Sequence, residues 1–275
     1  MTHGLGTTGK GRTGKWLLQV ALIVIAATML LPLWWMFVTA VSGPDAVLNG
    51  EVTLWPEEFR WGNFAQVWRD LAFGRYYLNS ILVTLCVTVG QVATCAMAAY
   101  AFARLKFPGR DRLFFTYLAT MMIPAAVTMI PVFILIVRLG WYDNLLGMIV
   151  PGMFSAYGTF LLRQFFLTIP RELEEAARLD GCTRAQVFWH VILPLSRPAL
   201  ATLAIFTFLG SWKSFLWPLI VTVSDEHKTL PVGIASYQGL HNTQWNLLMA
   251  ASLMMLVPMI VVFVLGQRQF VAGLQ

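Results

Sequence analysis

The side chains able to do chemistry in this sequence are few, and where they fall excludes most of it. Gly4-Leu-Gly-Thr-Thr-Gly9-Lys10 fits the start of a phosphate-binding loop, but Gly11 stands where a Ser or Thr must reach magnesium. Gly9 to Lys15 repeats the near-match and fails at Trp16, and no strand precedes either. Residues 1–15 are therefore expected to be a flexible basic tail, with no ATP bound by this chain. All 13 Asp and Glu and all four His fall in gaps between long apolar runs. No catalytic acid–base pair and no metal cluster is expected at membrane depth. The same distribution argues against proton-driven transport, which keeps such groups inside the bundle.

What remains inside the apolar runs is hydroxyl, amide, indole and one ammonium. Ser80, Thr84, Thr88 and Gln91 are spaced four, four and three apart, so on a helix they fall within an arc of about 80°. Such a stripe either walls a polar path or hydrogen-bonds neighbouring helices; Tyr157, with Ser155 and Thr159, carries the same two readings. Lys213 lies within Ser211-Trp-Lys-Ser214, where a charge costs about 2.5–3.5 kcal/mol on insertion scales and should face water or the bundle interior. Three uses fit it: an anionic substrate group, an ion pair with a second subunit, or hydrogen bonds to carbonyls. Of the 11 Trp, Trp16, Trp55, Trp61, Trp68, Trp141 and Trp245 sit at or beyond the ends of apolar runs, as interface anchors do. Trp212 and Trp217 are the ones to test as ring contacts for a solute.

The elements that must position these residues follow from hydropathy. The chain has 275 residues, 58% hydrophobic and 12% charged, against about 25% charged in soluble proteins. Six spans are expected, at 16–41, 77–103, 113–137, 145–162, 199–223 and 247–266, each long enough to cross about 30 Å of hydrocarbon as a helix. The predicted fold class is thus all-α integral membrane. Lys10, Arg12, Lys15, Arg104, Lys106, Arg110, Arg112, Arg163, Arg171, Arg178, Arg184, Arg197 and Arg268 fall on one side and Arg60, Arg69, Arg75, Arg138 and Lys228 on the other. That asymmetry predicts both termini in the cytoplasm. The net charge of +6 reports this orientation, not a nucleic-acid partner. The first run is too long for a cleaved signal and is read as a retained helix. Cys86 and Cys95 lie nine residues apart on opposite sides of one helix and cannot bridge, and Cys182 is expected to be reduced.

Between the fourth and fifth spans, Thr168 to Pro198 has the densest local design. Pro170 suits a first helical position, with Glu172, Glu174 and Glu175 near the positive helix end. Gly181 after Asp180 supplies a left-handed stop, Thr183 to Gln186 forms a capping box opening a second helix, and Pro194 should end that helix. Ala176 and Ala177 are small enough to let another surface approach the backbone. A bland alternative is an amphipathic loop lying on the headgroups.

Here Glu175-Ala-Ala177, Asp180-Gly181 and Val191-Ile-Leu-Pro194 resemble the cytoplasmic EAA signature of ABC importer permeases, with Val191 where Ile is usual. Asn79-Ser80, Ala99 to Arg104, Phe107-Pro-Gly109, Phe160 to Phe166, Phe215 to Pro218, Thr229 to Gly233, Gln267-Arg268 and Gly273-Leu274 extend the resemblance along nearly the whole chain. They are similar to the maltose-type carbohydrate importers, and within these to the smaller six-helix permease subunit of the type I fold. The resemblance implies a single permease domain over 16–275 with a coupling loop at 163–198. It implies a second permease subunit, two ATPase subunits holding ATP and magnesium, and an extracytoplasmic solute-binding protein. It also implies that Glu175 pairs with a basic residue of the ATPase, that Ala176 and Ala177 pack against it, and that Asp180 and Gly181 make the turn. The family more often has Asn where Lys213 stands.

The reading is a permease subunit in a bacterial or archaeal cell membrane, without a catalytic site, for a sugar, oligosaccharide or related polyol. A phosphorylated polyol such as glycerol phosphate is the alternative substrate; a membrane-embedded enzyme or docking scaffold is the alternative class. The candidate path comprises Thr84, Thr88, Gln91, Tyr157, Ser211, Trp212, Lys213, Ser214 and Trp217. The outer loop 224–246 is expected to meet the binding protein near Gln238 and Gly239.

Overall fold

The computed structural model describes residues 10–44, 55–56, 58–239 and 243–272, with side chains from residue 14 to residue 266 of these. The described residues are helical apart from turns and one isolated antiparallel bridge, Gln238 to Thr243. They divide into two compact units.

The first unit draws on the chain up to Arg69 and on Tyr237–Met254. Helix α1, Lys10–Val41, opens with Lys10, Arg12 and Lys15, then is mainly apolar on every side and exposed from Trp16 to Leu33, as a lipid-facing span should be. It starts at Lys10, so part of the expected flexible tail is helical; residues 1–9 lie outside the described residues. Its last carbonyls are met from the chain that follows. Asn63 Nδ2, on α2 (Gly62–Asp70), donates to Ala40 O at 2.8 Å and Ser42 O at 2.9 Å, and the Arg60 N–H donates to Val41 O at 2.7 Å.

The second unit, Asp70–Ser236 with the chain from Met255, is organised on α3, Phe73–Arg104, unbroken for 32 residues. Against α3 pack α7 (Ala156–Thr168) and α10 (Arg197–Trp212). Ala96, Ala99 and Ala103 of α3 are buried with Leu162, Phe166 and Leu203, since small side chains let helices close where lipid supplies no hydrophobic drive. At Gly158 the two helices approach closely: an added Cβ would lie 2.9 Å from Cys95 Sγ.

Three of the expected spans differ from continuous helices. By length and composition, Gly14–Val41, Phe73–Arg104 and Trp245–Gly266 can each cross a membrane, the last within α12 (Trp245–Ala272). The third span is broken: α4 (Arg110–Ala119) and a 3₁₀ turn are followed, across Ile123-Pro124, by α5 (Ala125–Arg138) after a bend of 102°. Proline at 124 pushes Ile123 into extended backbone, φ −84° and ψ 119°, and stops the helix. The fourth divides into α6 (Leu146–Gly152) and α7, which opens at Ser155, whose Oγ accepts from Gly158 N at 3.0 Å. The fifth ends its long helix at Trp212, turns through Lys213-Ser214-Phe215, and resumes as α11, Leu216–Val221.

Between α7 and α10 lie α8 (Arg171–Leu179) and α9 (Arg184–Leu195). Pro194 does not end α9 at once. The helix widens into a π turn over Phe188–Ile192, making room for a ring that lacks an N–H, then bends 78° into α10.

Candidate functional site

Two places collect the residues singled out above. The first is the α8–α9 corner. Gly181 has φ +86°, the Cys182 N–H donates to Ala177 O at 2.9 Å, and the Gly181 N–H donates to Arg178 O at 3.0 Å, which together make a Schellman stop. The reciprocal capping box of Thr183 and Gln186 follows. Pro170 sits one residue earlier than expected, at the N-cap of α8. Glu175, Ala176, Asp180 and Gly181 are exposed, and Leu179 is 89% exposed. Ala177 differs: it packs inward on the core with Cys182, so only Ala176 of the pair offers its methyl outward.

Sequence reasoning missed Glu174. It is buried, and its Oε1 lies 2.9 Å from Arg104 Nε, the two side chains 9% and 3% exposed. Arg104 Nη2 donates to Ile169 O at 2.6 Å and to Phe166 O. The Nε–Oε1 contact lies off the hydrogen-bond line and acts as an ion contact.

The second place is a cleft of about 800 Å³ in the second unit, where the broken helices meet α3. Non-helical backbone at membrane depth is tolerated where it lines a cavity, and the turn after α10 does so through Ser214 and Phe215. Thr84 and Gln91 reach it from α3, Tyr157 from α7, Ser211 from α10, and Trp217 from α11. Polar groups of its lining are paired between helices. Gln91 Nε2 donates to Thr207 Oγ1 at 2.9 Å, Ser211 Oγ to Thr84 Oγ1 at 3.4 Å, and Trp217 Nε1 to Gly147 O at 3.0 Å. Thr128, Thr207 and Thr229 also line it and were not foreseen: the first two are single threonines in apolar runs, which carry no signal of their own, and Thr229 falls in the expected outer loop 224–246. The Thr229 hydroxyl is buried without a hydrogen-bond partner.

Three expected path residues are placed elsewhere. Trp212 is 1% exposed, stacked on Phe208 and edge-on to Tyr77, and its Nε1 donates to Met255 O at 3.0 Å; it is a packing residue here. Lys213 is exposed at the C-cap of α10, outside the cleft lining, where an ammonium suits the negative helix end. Thr88 is not on the lining, and Ser80 of the same stripe accepts from Leu230 N at 2.7 Å. Gln238 and Gly239 are exposed beside the bridge to Thr243 in the first unit.

A polar clamp ties Asp143 to the chain just past α11. Asp143 Oδ1 accepts from Val223 N at 2.9 Å and Ser224 N at 3.0 Å. Partial burial raises the Asp143 pKa, but these N–H donors and nearby His227 outweigh it and hold the carboxyl below its ordinary value. Asp225 is lowered too, first by its hydrogen bond from Lys228 at 2.7 Å and then by the Tyr76 hydroxyl.

Comparison with known proteins places this architecture. Residues 91–274 match the family described as binding-protein-dependent transport system inner membrane component. The chain is 37% identical over 264 residues to the sn-glycerol-3-phosphate transport system permease protein UgpE of Yersinia pestis bv. Antiqua, covering 93% of this chain and 94% of that protein. It is 32% identical over 263 residues to the arabinooligosaccharides transport system permease protein AraQ of Halalkalibacterium halodurans, covering 94% of each. Its fold matches a chain from the crystal structure of a bacterial ABC transporter involved in import of the acidic polysaccharide alginate, with TM-score 0.83, 27% identity and coverage of 96% and 99%. The chain belongs to the binding-protein-dependent transport system inner membrane components and is an ABC importer permease subunit.

Proposed function

We propose that the chain forms half of the translocation path for a neutral sugar, oligosaccharide or related polyol, beside a second permease subunit. The observation that carries the substrate class is the cleft lining. Its polar groups among the described residues are hydroxyls, the Gln91 amide and the Trp217 indole, and none is charged. Such a surface trades hydrogen bonds with a polyhydroxylated solute without desolvating an ion.

The α8–α9 corner is the joint to two ATPase subunits, which hold the ATP and magnesium. The exposed carboxylate of Glu175 faces a basic partner, Ala176 allows close approach, and the Gly181 turn sets the angle. Both termini and the 163–198 loop lie in the cytoplasm, and the permease domain is the single unit of function from 16 to 275. Gln238 and Gly239 meet the extracytoplasmic binding protein. A phosphorylated polyol is the second reading, favoured by the name of the UgpE relatives.

The test is ATP hydrolysis by the purified four-subunit complex with its binding protein, across a panel of neutral sugars and sn-glycerol 3-phosphate. Stimulation by a neutral sugar supports the first reading, and stimulation by the phosphate ester alone replaces it with the second. Glu175→Lys should abolish stimulation while leaving membrane insertion intact; a fully assembled variant that transports normally would remove Glu175 from the joint.

A further inference from the structure

The Arg104–Glu174 pair is the most deeply enclosed ion pair among the described residues, and it touches three elements at once. Arg104 is the last residue of α3. Its guanidinium serves Phe166 O, in the last turn of α7, which also accepts from the Ile169 N–H at 3.2 Å, and Ile169 O, just past that helix, where carbonyls fall short of intrahelical partners. Its Nε contacts Glu174, in the first turn of α8. The planar fork of arginine can hold several acceptors in fixed directions, which a lysine cannot. An apolar contact would bind these helices at lower desolvation cost; the ion pair fixes their relative direction instead.

We propose that Arg104 and Glu174 are positioning residues for energy coupling, clamping α8 to the ends of α3 and α7 so that a displacement of α8 moves α3 as a lever. The lever is continuous. Arg104 and Thr84 lie on the same unbroken helix, 20 residues and so about 30 Å apart, and Thr84 and Gln91 are on the cleft wall. Force applied to the exposed face of α8 thus reaches the cleft without passing through a loop. The inference rests on the reading of α8 as the ATPase joint.

The experiment uses the assembled complex with binding protein carrying the most stimulating solute of the panel above. Arg104→Gln and Glu174→Gln should each lower solute-stimulated ATP hydrolysis about tenfold, with basal hydrolysis and subunit co-elution at parental levels. Arg104→Lys should fall between, since it keeps the charge and loses the fork. Parental stimulation in both Gln variants would overturn the proposal. So would failure of both to assemble, because the pair would then hold the fold rather than transmit motion. A parent complex that no solute stimulates counts against the functional reading instead. The clamp is then decided by spin labels at Lys106 and Leu179, whose distance distribution should broaden in Arg104→Gln; an unchanged distribution overturns it.

Discussion

The α8–α9 corner and the cleft wall are built on opposite rules. At the corner each feature is fixed by residues within a turn of one another: Gly181 at positive φ, the Cys182 to Ala177 hydrogen bond, and the Thr183–Gln186 box. At the cleft the breaks after Met122, Gly152 and Trp212 bring together side chains more than a hundred residues apart, as in the Gln91–Thr207 and Thr84–Ser211 pairs. A joint made of local signals keeps its shape while its surroundings move. A wall made of long-range pairs changes shape when its helices do.

If this contrast is right, packing changes near the cleft should cost more than cap changes at the corner. The largest effect expected is at Gly147, beside the cleft-lining Met148, where an added Cβ would meet Trp141 O at 2.6 Å and Ile136 Cγ2 at 3.2 Å. Gly147→Ala should destabilise by about 1–3 kcal/mol through overpacking, read as a lowered melting temperature of the purified complex. Gly181→Val meets no neighbouring atom, so its cost is conformational, about 1–2 kcal/mol. It should appear as weakened ATPase association more than as lost insertion. Thr183→Ala removes one half of the capping box and should cost about 1 kcal/mol, measured the same way. A Thr183→Ala effect exceeding that of Gly147→Ala would break the comparison.

Smaller effects sharpen it. Because Lys213 is exposed off the cleft, Lys213→Asn should retain at least about half of parental transport of a neutral sugar, the cost of one modest hydrogen-bond change at most. Sharp loss with partial rescue by Lys213→Arg would favour an anionic substrate. At the Asp143 clamp the sign is set by a folded-state pKa below the ordinary value. The stabilisation is complete above the unfolded pKa of about 3.9 and is lost as pH falls through the lower folded value. Asp143→Asn should therefore flatten the acid limb of the melting temperature against pH and leave neutral pH least affected in slope.

The same division decides what could be read from the sequence. The corner was legible because caps and left-handed stops depend on nearest neighbours; Pro170 shifted by one position, while Ala177 turned inward and Pro194 fell inside α9, outcomes set by packing and by the π turn. The three unbroken spans were legible from hydropathy alone. The breaks were not, although Pro124 and Ser155 carried local hints, because apolar periodicity does not distinguish one helix from two in line. Depth in an apolar run points Trp212 and Lys213 to the path, but the helix ends at Trp212, with that ring packed in the core and Lys213 at the exposed C-cap. Arg104 and Glu174 lie seventy residues apart with no pattern linking them. In the sequence Arg104 serves as an orientation charge and as the end of the family-like run from Ala99, and Glu174 as one acid among several at a helix start.

The pairing of polar groups inside the cleft bears on how tightly a solute can be held. Gln91 with Thr207 and Ser211 with Thr84 already satisfy part of one another's hydrogen-bonding capacity. A hydroxylated solute entering there exchanges one set of bonds for another of similar strength, so little net free energy is released on arrival. On the proposed function, such a cleft suits transit rather than storage, and tight capture falls to a step before the solute arrives.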